Sequence, residues 1–129
     1  MSHSISCACG ALTVEVNEGV DCAFSAICHC ANCREVTGTA SFWANAFPTP
    51  EVKITGEAIS YQHAVNLRCS CAKCGSFMYE HVPTMGLTML PAARLTDPAP
   101  PMCHVWTKSA VYTLPEDGKP RFDEMPPMG

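Results

Sequence analysis

Cys7-Ala8-Cys9-Gly10, Cys28-His29-Cys30-Ala31-Asn32-Cys33 and Cys69-Ser70-Cys71-Ala72-Lys73-Cys74-Gly75 hold eight of the ten cysteines of the chain. Seven of them have metal-ligand spacing. Cysteines two or three positions apart can both reach one ion, because a tight turn carries their sulfurs to about 2.3 Å from it. Cys7, Cys9, Cys71 and Cys74 form two such pairs, and two pairs make a closed tetrahedral set of the structural kind. Gly10 and Gly75 follow the pairs directly and suit a sharp backbone turn. Joining the pairs ties the N-terminal region to the middle of the chain and makes metal binding part of folding. The middle cluster supplies Cys28, Cys30 and Cys33 and no evident fourth ligand. Catalytic zinc keeps a position open, so the spacing suggests one zinc of each kind. The alternative is a second closed site, completed by Cys22, Cys69, Cys103, His29 or His104.

At 129 residues and 47% hydrophobic composition, the chain reads as one domain over 1–129, with an extended tail from about 115. Ten cysteines in so short a chain could instead form a secreted disulfide scaffold. Clustering at metal spacing argues against that, and so does the cramped geometry a bridge would have within a C-x-C pair. The start, Met1 to Ser6, has no basic region followed by an apolar stretch, so the expectation is a cytoplasmic protein. No apolar run approaches the roughly 20 residues of a membrane span. The formal net charge is −4. Nonspecific nucleic-acid binding needs Lys and Arg to neutralise phosphates, so neither nucleic acid nor membrane is an expected partner. Arg34, Lys53, Arg68, Arg94 and Lys108 could still hold a small anion locally.

The pattern between the clusters is mainly β. Leu12, Val14 and Val16 alternate with polar residues as a half-buried strand does. Strands are also expected over Cys22–Cys28, Thr39–Phe47, Gly86–Leu90 and Cys103–Lys108. Val52 and Ile54, a break at Gly56, and Ala58–His63 read as a hairpin-like pair. Phe77 and Tyr79 alternate with Met78 and Glu80. One short helix is expected from about Ala31 to Thr37, closed by Gly38 as its C-terminal cap. Pro91 to Pro101 is a connection, because proline removes ladder donors.

These residues resemble a known family, the glutathione-dependent formaldehyde-activating enzymes, which include relatives of centromere protein V. The resemblance lies in Cys7-Ala8-Cys9-Gly10 and in Cys28-His29-Cys30-Ala31-Asn32-Cys33-Arg34 with Thr37-Gly38. It continues in Arg68, Cys71, Cys74, Gly75 and Ser76, and in His104-Val105-Trp106 with Lys108-Ser109. It covers nearly the whole domain in order. Ser70 departs from the family, which usually has an aromatic residue there, and Cys69 beside it is unusual. The resemblance implies a small zinc-stapled, twisted β-sheet fold similar to the zinc-binding chaperones of Rab GTPases. It implies a structural zinc on Cys7, Cys9, Cys71 and Cys74 and a catalytic zinc on Cys28, Cys30 and Cys33. The implied activity forms S-hydroxymethylglutathione from formaldehyde and glutathione, as a carbon–sulfur lyase.

The expected function is therefore a zinc enzyme that joins a small aldehyde to a thiol such as glutathione, or splits the adduct. Arg34 is the candidate for holding a substrate carboxylate. Two other classes stay open: a noncatalytic zinc module that binds a protein partner, and a zinc or redox sensor that releases metal on oxidation.

Overall fold

The computed structural model describes residues 3–126. Ten strands and one helix follow in order: β1 (His3–Ser6), β2 (Thr13–Val16), β3 (Phe24–Cys28), α1 (Ala31–Thr37), β4 (Phe42–Pro48), β5 (Val52–Thr55), β6 (Ala58–His63), β7 (Asn66–Cys71), β8 (Phe77–Val82), β9 (Leu87–Pro91) and β10 (Cys103–Val105). They form two sheets. The smaller has the order β1-β2-β5, and the larger β10-β3-β4-β9-β8-β7-β6. All pairings are antiparallel except β10 with β3.

The small sheet covers one face of the large one. Ile5, Leu12, Val14 and Val16 pack there against Phe47, Cys69, Cys71, Met78, Tyr79 and Leu90. The two-residue period then sends the alternate side chains of the large sheet to the other face. Ala26 and Cys28 of β3, Phe42, Ala44 and Ala46 of β4, and Met89 of β9 line a cavity on that side. The fold thus separates a dry core from an apolar recess.

The strand alternation over 12–16 is as the sequence suggests, and α1 spans the expected residues. Gly38 caps it at φ 69°, with its N–H donating to the Arg34 carbonyl at 2.8 Å. Three expectations are corrected. Val52–Thr55 and Ala58–His63 are not a hairpin, because β5 pairs with β2 while β6 pairs with β7. Gly56 lets the chain cross between sheets: at φ 111° it passes so close to the β1–β2 turn that a Cβ would lie 2.1 Å from the Ala11 carbonyl oxygen. The alternation over Phe77–Glu80 is broken by a bulge, since Cys69 faces Tyr79 and Ser70 faces Phe77, leaving Met78 extra. Met78, Tyr79 and Glu80 are all buried as a result. The last strand ends at Val105, because Trp106 adopts left-handed φ 57° and a 3₁₀ turn follows. His104 and Trp106 therefore do not share one strand face.

The tail runs alongside β10. The His104 amide donates to the Pro120 carbonyl and the Phe122 amide to the His104 carbonyl, both at 2.9 Å. Residues 127–129 of the expected tail, and Met1 and Ser2 of the N-terminal region, lie outside the described residues.

Candidate functional site

Two turns build the four-cysteine cluster. In the β1–β2 turn the Leu12 amide donates to Cys7 Sγ at 3.2 Å, and Gly10 closes the turn onto the Cys7 carbonyl at 3.0 Å. In the β7–β8 turn the Lys73 and Cys74 amides donate to Cys71 Sγ at 3.4 and 3.5 Å. Gly75 closes that turn onto the Cys71 carbonyl, also at 3.0 Å. Gly10 and Gly75 share left-handed φ values of 79° and 78°, which a side chain adopts only under strain. Packing of the small sheet on the large one brings the turns together. Cys9 Sγ lies 3.6 Å from Cys7 Sγ and 3.7 Å from Cys71 Sγ. Sulfurs about 2.3 Å from a tetrahedral zinc lie about 3.8 Å apart, so the donor set fits that ion. Hydrogen bonds from the Ser76 hydroxyl and amide hold the Cys74 thiol down at about 5, which favours the thiolate a metal needs.

The second cluster forms where β3 runs into α1. Cys28 ends the strand, Cys30 is the helix N-cap, and Cys33 lies in the first turn. The Cys33 amide donates to Cys30 Sγ at 3.2 Å, and Cys33 Sγ lies 3.1 Å from Cys28 Sγ. The two sulfurs would move about 0.7 Å apart to reach the tetrahedral edge. Hydrogen bonds from Cys28 and Cys33 hold the Cys30 thiol far below its ordinary value, with the Arg68 charge assisting. The same bonds, from Cys30 and then Cys33, push Cys28 far up.

Among the described residues, no fourth Cys, His, Asp or Glu joins this cluster. The sequence offered five candidates, and the fold points them elsewhere. Cys69 and Cys103 are buried in other parts of the core, and Cys22 donates to the Phe24 carbonyl. His29 alternates away from its cysteine neighbours, and its Nε2 meets His104 Nδ1 at 3.1 Å. His104 Nε2 in turn meets Asp117 at 2.7 Å. All three cysteines line the apolar recess, a cavity of about 710 Å³.

Arg34, the expected substrate contact, lies half-buried on α1 and donates to the Ser109 carbonyl at 3.4 Å. It is absent from the cavity wall, whereas Arg68 is on it. Arg68, on β7, is 5% exposed. Its Nη2 lies 3.4 Å from both Cys33 Sγ and Glu80 Oε2. Its Nε and Nη1 are buried without a partner, as is Asn32 Oδ1 on the same wall. The sequence marked Arg68 as one cation among several and as part of the family resemblance, without a role of its own. What singles it out is the register of β7, which turns residues 66 and 68 to the cavity and 69 and 71 to the core.

A small β domain with one four-thiol and one three-thiol cluster, the second open to a recess, is a domain that could hold two metal ions. Within that class, the chain belongs to the glutathione-dependent formaldehyde-activating enzyme family, whose model matches residues 2–109. No curated protein matches the chain. Among solved structures it is similar to the crystal structure of a Rhodobacter sphaeroides protein, with a TM-score of 0.59 and 19% identity, covering 92% of this chain and 98% of that one. That likeness concerns the fold.

Proposed function

We propose that this protein forms or cleaves a thiol–aldehyde adduct with zinc on Cys28, Cys30 and Cys33, glutathione and formaldehyde being the substrate pair that its family suggests. The observation that carries this reading is a three-sulfur cluster on the cavity wall that no fourth Cys, His, Asp or Glu joins among the described residues. A zinc held there supplies a Lewis acid that stabilises an incoming thiol as thiolate and polarises a carbonyl. The chain does the rest. Cys28, Cys30 and Cys33 fix the metal at the end of β3 and the start of α1, both held by backbone hydrogen bonds. Phe42, Ala44 and Met89 give the recess apolar walls that keep water from the reacting sulfur. Arg34, hydrogen-bonded to the cavity-lining Ser109, is the cation offered to a substrate carboxylate. Cys7, Cys9, Cys71 and Cys74 hold a second, structural zinc. Seven ligand thiols would have to stay reduced, which supports a reducing compartment such as the cytoplasm.

The reaction is a carbon–sulfur bond formation that also runs unaided, so the test compares rates. Exchange between formaldehyde, glutathione and their adduct is followed by NMR, with wild type, with Cys30→Ser and without protein. The expected result is acceleration by the zinc-loaded wild type that Cys30→Ser loses, while its circular dichroism is unchanged and its zinc content falls from two to one. Acceleration surviving in Cys30→Ser would remove the chemistry from this cluster. No acceleration with two zincs bound would remove this substrate pair. The noncatalytic-module reading expects a closed second cluster, and the lack of a fourth ligand among the described residues weighs against it.

A further inference from the structure

Arg68 carries more hydrogen-bond donors than its neighbours use. Nη2 serves Cys33 and Glu80, while the Nε and Nη1 hydrogens are buried and unpartnered, on a residue that lines the cavity. A buried donor without an acceptor is costly, so such a group points to something that completes it. Its place beside Cys33 puts the spare donors next to the reactive cluster. The charge around them decides what kind of acceptor fits. Glu80 already answers the positive charge of Arg68 at 3.4 Å, and the cluster adds thiolate charge on the other side. A substrate carboxylate would meet that negative surround. A neutral oxygen that gains charge only during the reaction would not meet it on binding, and would use the donors most when its charge is greatest.

We propose that Arg68 is the oxyanion donor of this site, its Nε and Nη1 hydrogens receiving the carbonyl oxygen of the aldehyde and stabilising the charge that develops there. The assignment rests on the thiol–aldehyde reading above. In the addition, the thiol first releases its proton to solvent. A lone pair of the thiolate forms the C–S bond, and the C=O π pair moves to oxygen. The resulting alkoxide takes a proton from water, so that thiol and aldehyde give the hydroxymethyl thioether with no net change of charge. Cleavage is the reverse. Arg68 donates hydrogen bonds throughout and never its proton, since guanidinium stays charged. Arg68 is thus a catalytic residue for the aldehyde and plays no part in recognising the thiol's carboxylates.

The test uses zinc-loaded wild type, Arg68→Gln and Arg68→Lys in the NMR exchange assay at saturating glutathione. Arg68→Lys keeps a positive charge against Glu80 but loses the fork of donors, so it covers the case in which the neutral variant fails to fold. Glutathione affinity without aldehyde is measured by calorimetry, and zinc content by atomic absorption. The expected result is a fall in kcat of about 10²-fold, the size seen when one oxyanion donor is removed. Glutathione affinity and zinc content should stay within about twofold on the same argument. An unchanged kcat overturns the assignment. So does a fall matched by weaker glutathione binding or lost zinc, which would make Arg68 a support for the thiol or the cluster. A wild type that gives no acceleration at all instead defeats the thiol–aldehyde reading, and this assignment falls with it.

Discussion

Arg68 and Glu80 are both almost fully buried, yet each is an ion in a wall made largely of alanine, phenylalanine and methionine. Desolvation raises the Glu80 pKa, and the Arg68 charge opposes that rise. A buried pair gives little net stability, but removing one partner strands the other. Glu80→Gln preserves the shape and the Asn66 contact while leaving Arg68 without its carboxylate. It should lower unfolding stability by about 3 kcal/mol in urea titration, and Arg68→Met with Glu80→Leu should cost less than the single change. A Glu80→Gln loss below about 1 kcal/mol would mean that the pair is not ionised as drawn. The seven clustered cysteines could be read directly, because their spacing is a local property of sequence. Arg68 could not. Its importance depends on which face of β7 it occupies, and the bulge at Met78, opposite Cys69 and Ser70, is invisible to alternation. Arg34 adjoins Cys33 in sequence, but a helix turns successive side chains about 100° apart, and its guanidinium donates to the Ser109 carbonyl.

At the scale of elements, the sequence located α1 because both its ends are marked locally, by the Cys30 N-cap and the Gly38 C-cap. It located β2 because one face is dry and the other wet. It missed the switch between β5 and β6, because a glycine break reads alike whether the chain folds back or crosses to another sheet. It also missed the role of the tail. Residues 120–124 hydrogen-bond along β10 and its following turn, and the His104–Asp117 contact pins the loop that leads to them. That contact reports acid sensitivity. The hydrogen bond from His104 holds the Asp117 carboxyl below its ordinary value of 3.8. A lowered carboxyl stabilises the fold above the unfolded value and loses that contribution as pH falls through the folded one. The attachment should therefore be intact from neutral pH down to about pH 4 and weaken below it. Asp117→Ala should reproduce the acid effect at pH 7. Hydrogen exchange would detect it as faster loss of the Phe122 and His104 amide protons, with the β7–β8 amides unchanged. Equal protection in variant and wild type would show that backbone bonds alone hold the tail.

For the whole molecule, the two clusters have unequal roles because of where they sit in the chain. Cys28, Cys30 and Cys33 are local: they cross-link one strand end to the next helix turn. Cys9 and Cys71 are 62 residues apart, and the cluster they share joins a turn of the small sheet to a turn of the large one. A cross-link closing a loop of that length removes about 4 kcal/mol of freedom from the unfolded chain. The main core lies directly beneath it, with Cys7 and Cys71 both buried there. Metal at the four-cysteine cluster would therefore be a folding ligand, and metal at the three-cysteine cluster, on the proposed function, a catalytic one. Stepwise chelation separates the two. A weak chelator should first remove the zinc of the open cluster, abolishing turnover with little change in Tm. A strong chelator, or Cys7→Ser, should then lower Tm by about 10–20 °C, the shift expected for a loss of that size in a chain of this length. Differential scanning calorimetry with parallel zinc analysis follows both steps. Loss of both metals with a Tm shift of only a few degrees would mean that the packing of the small sheet on the large one suffices, and that the four-cysteine cluster is not a staple.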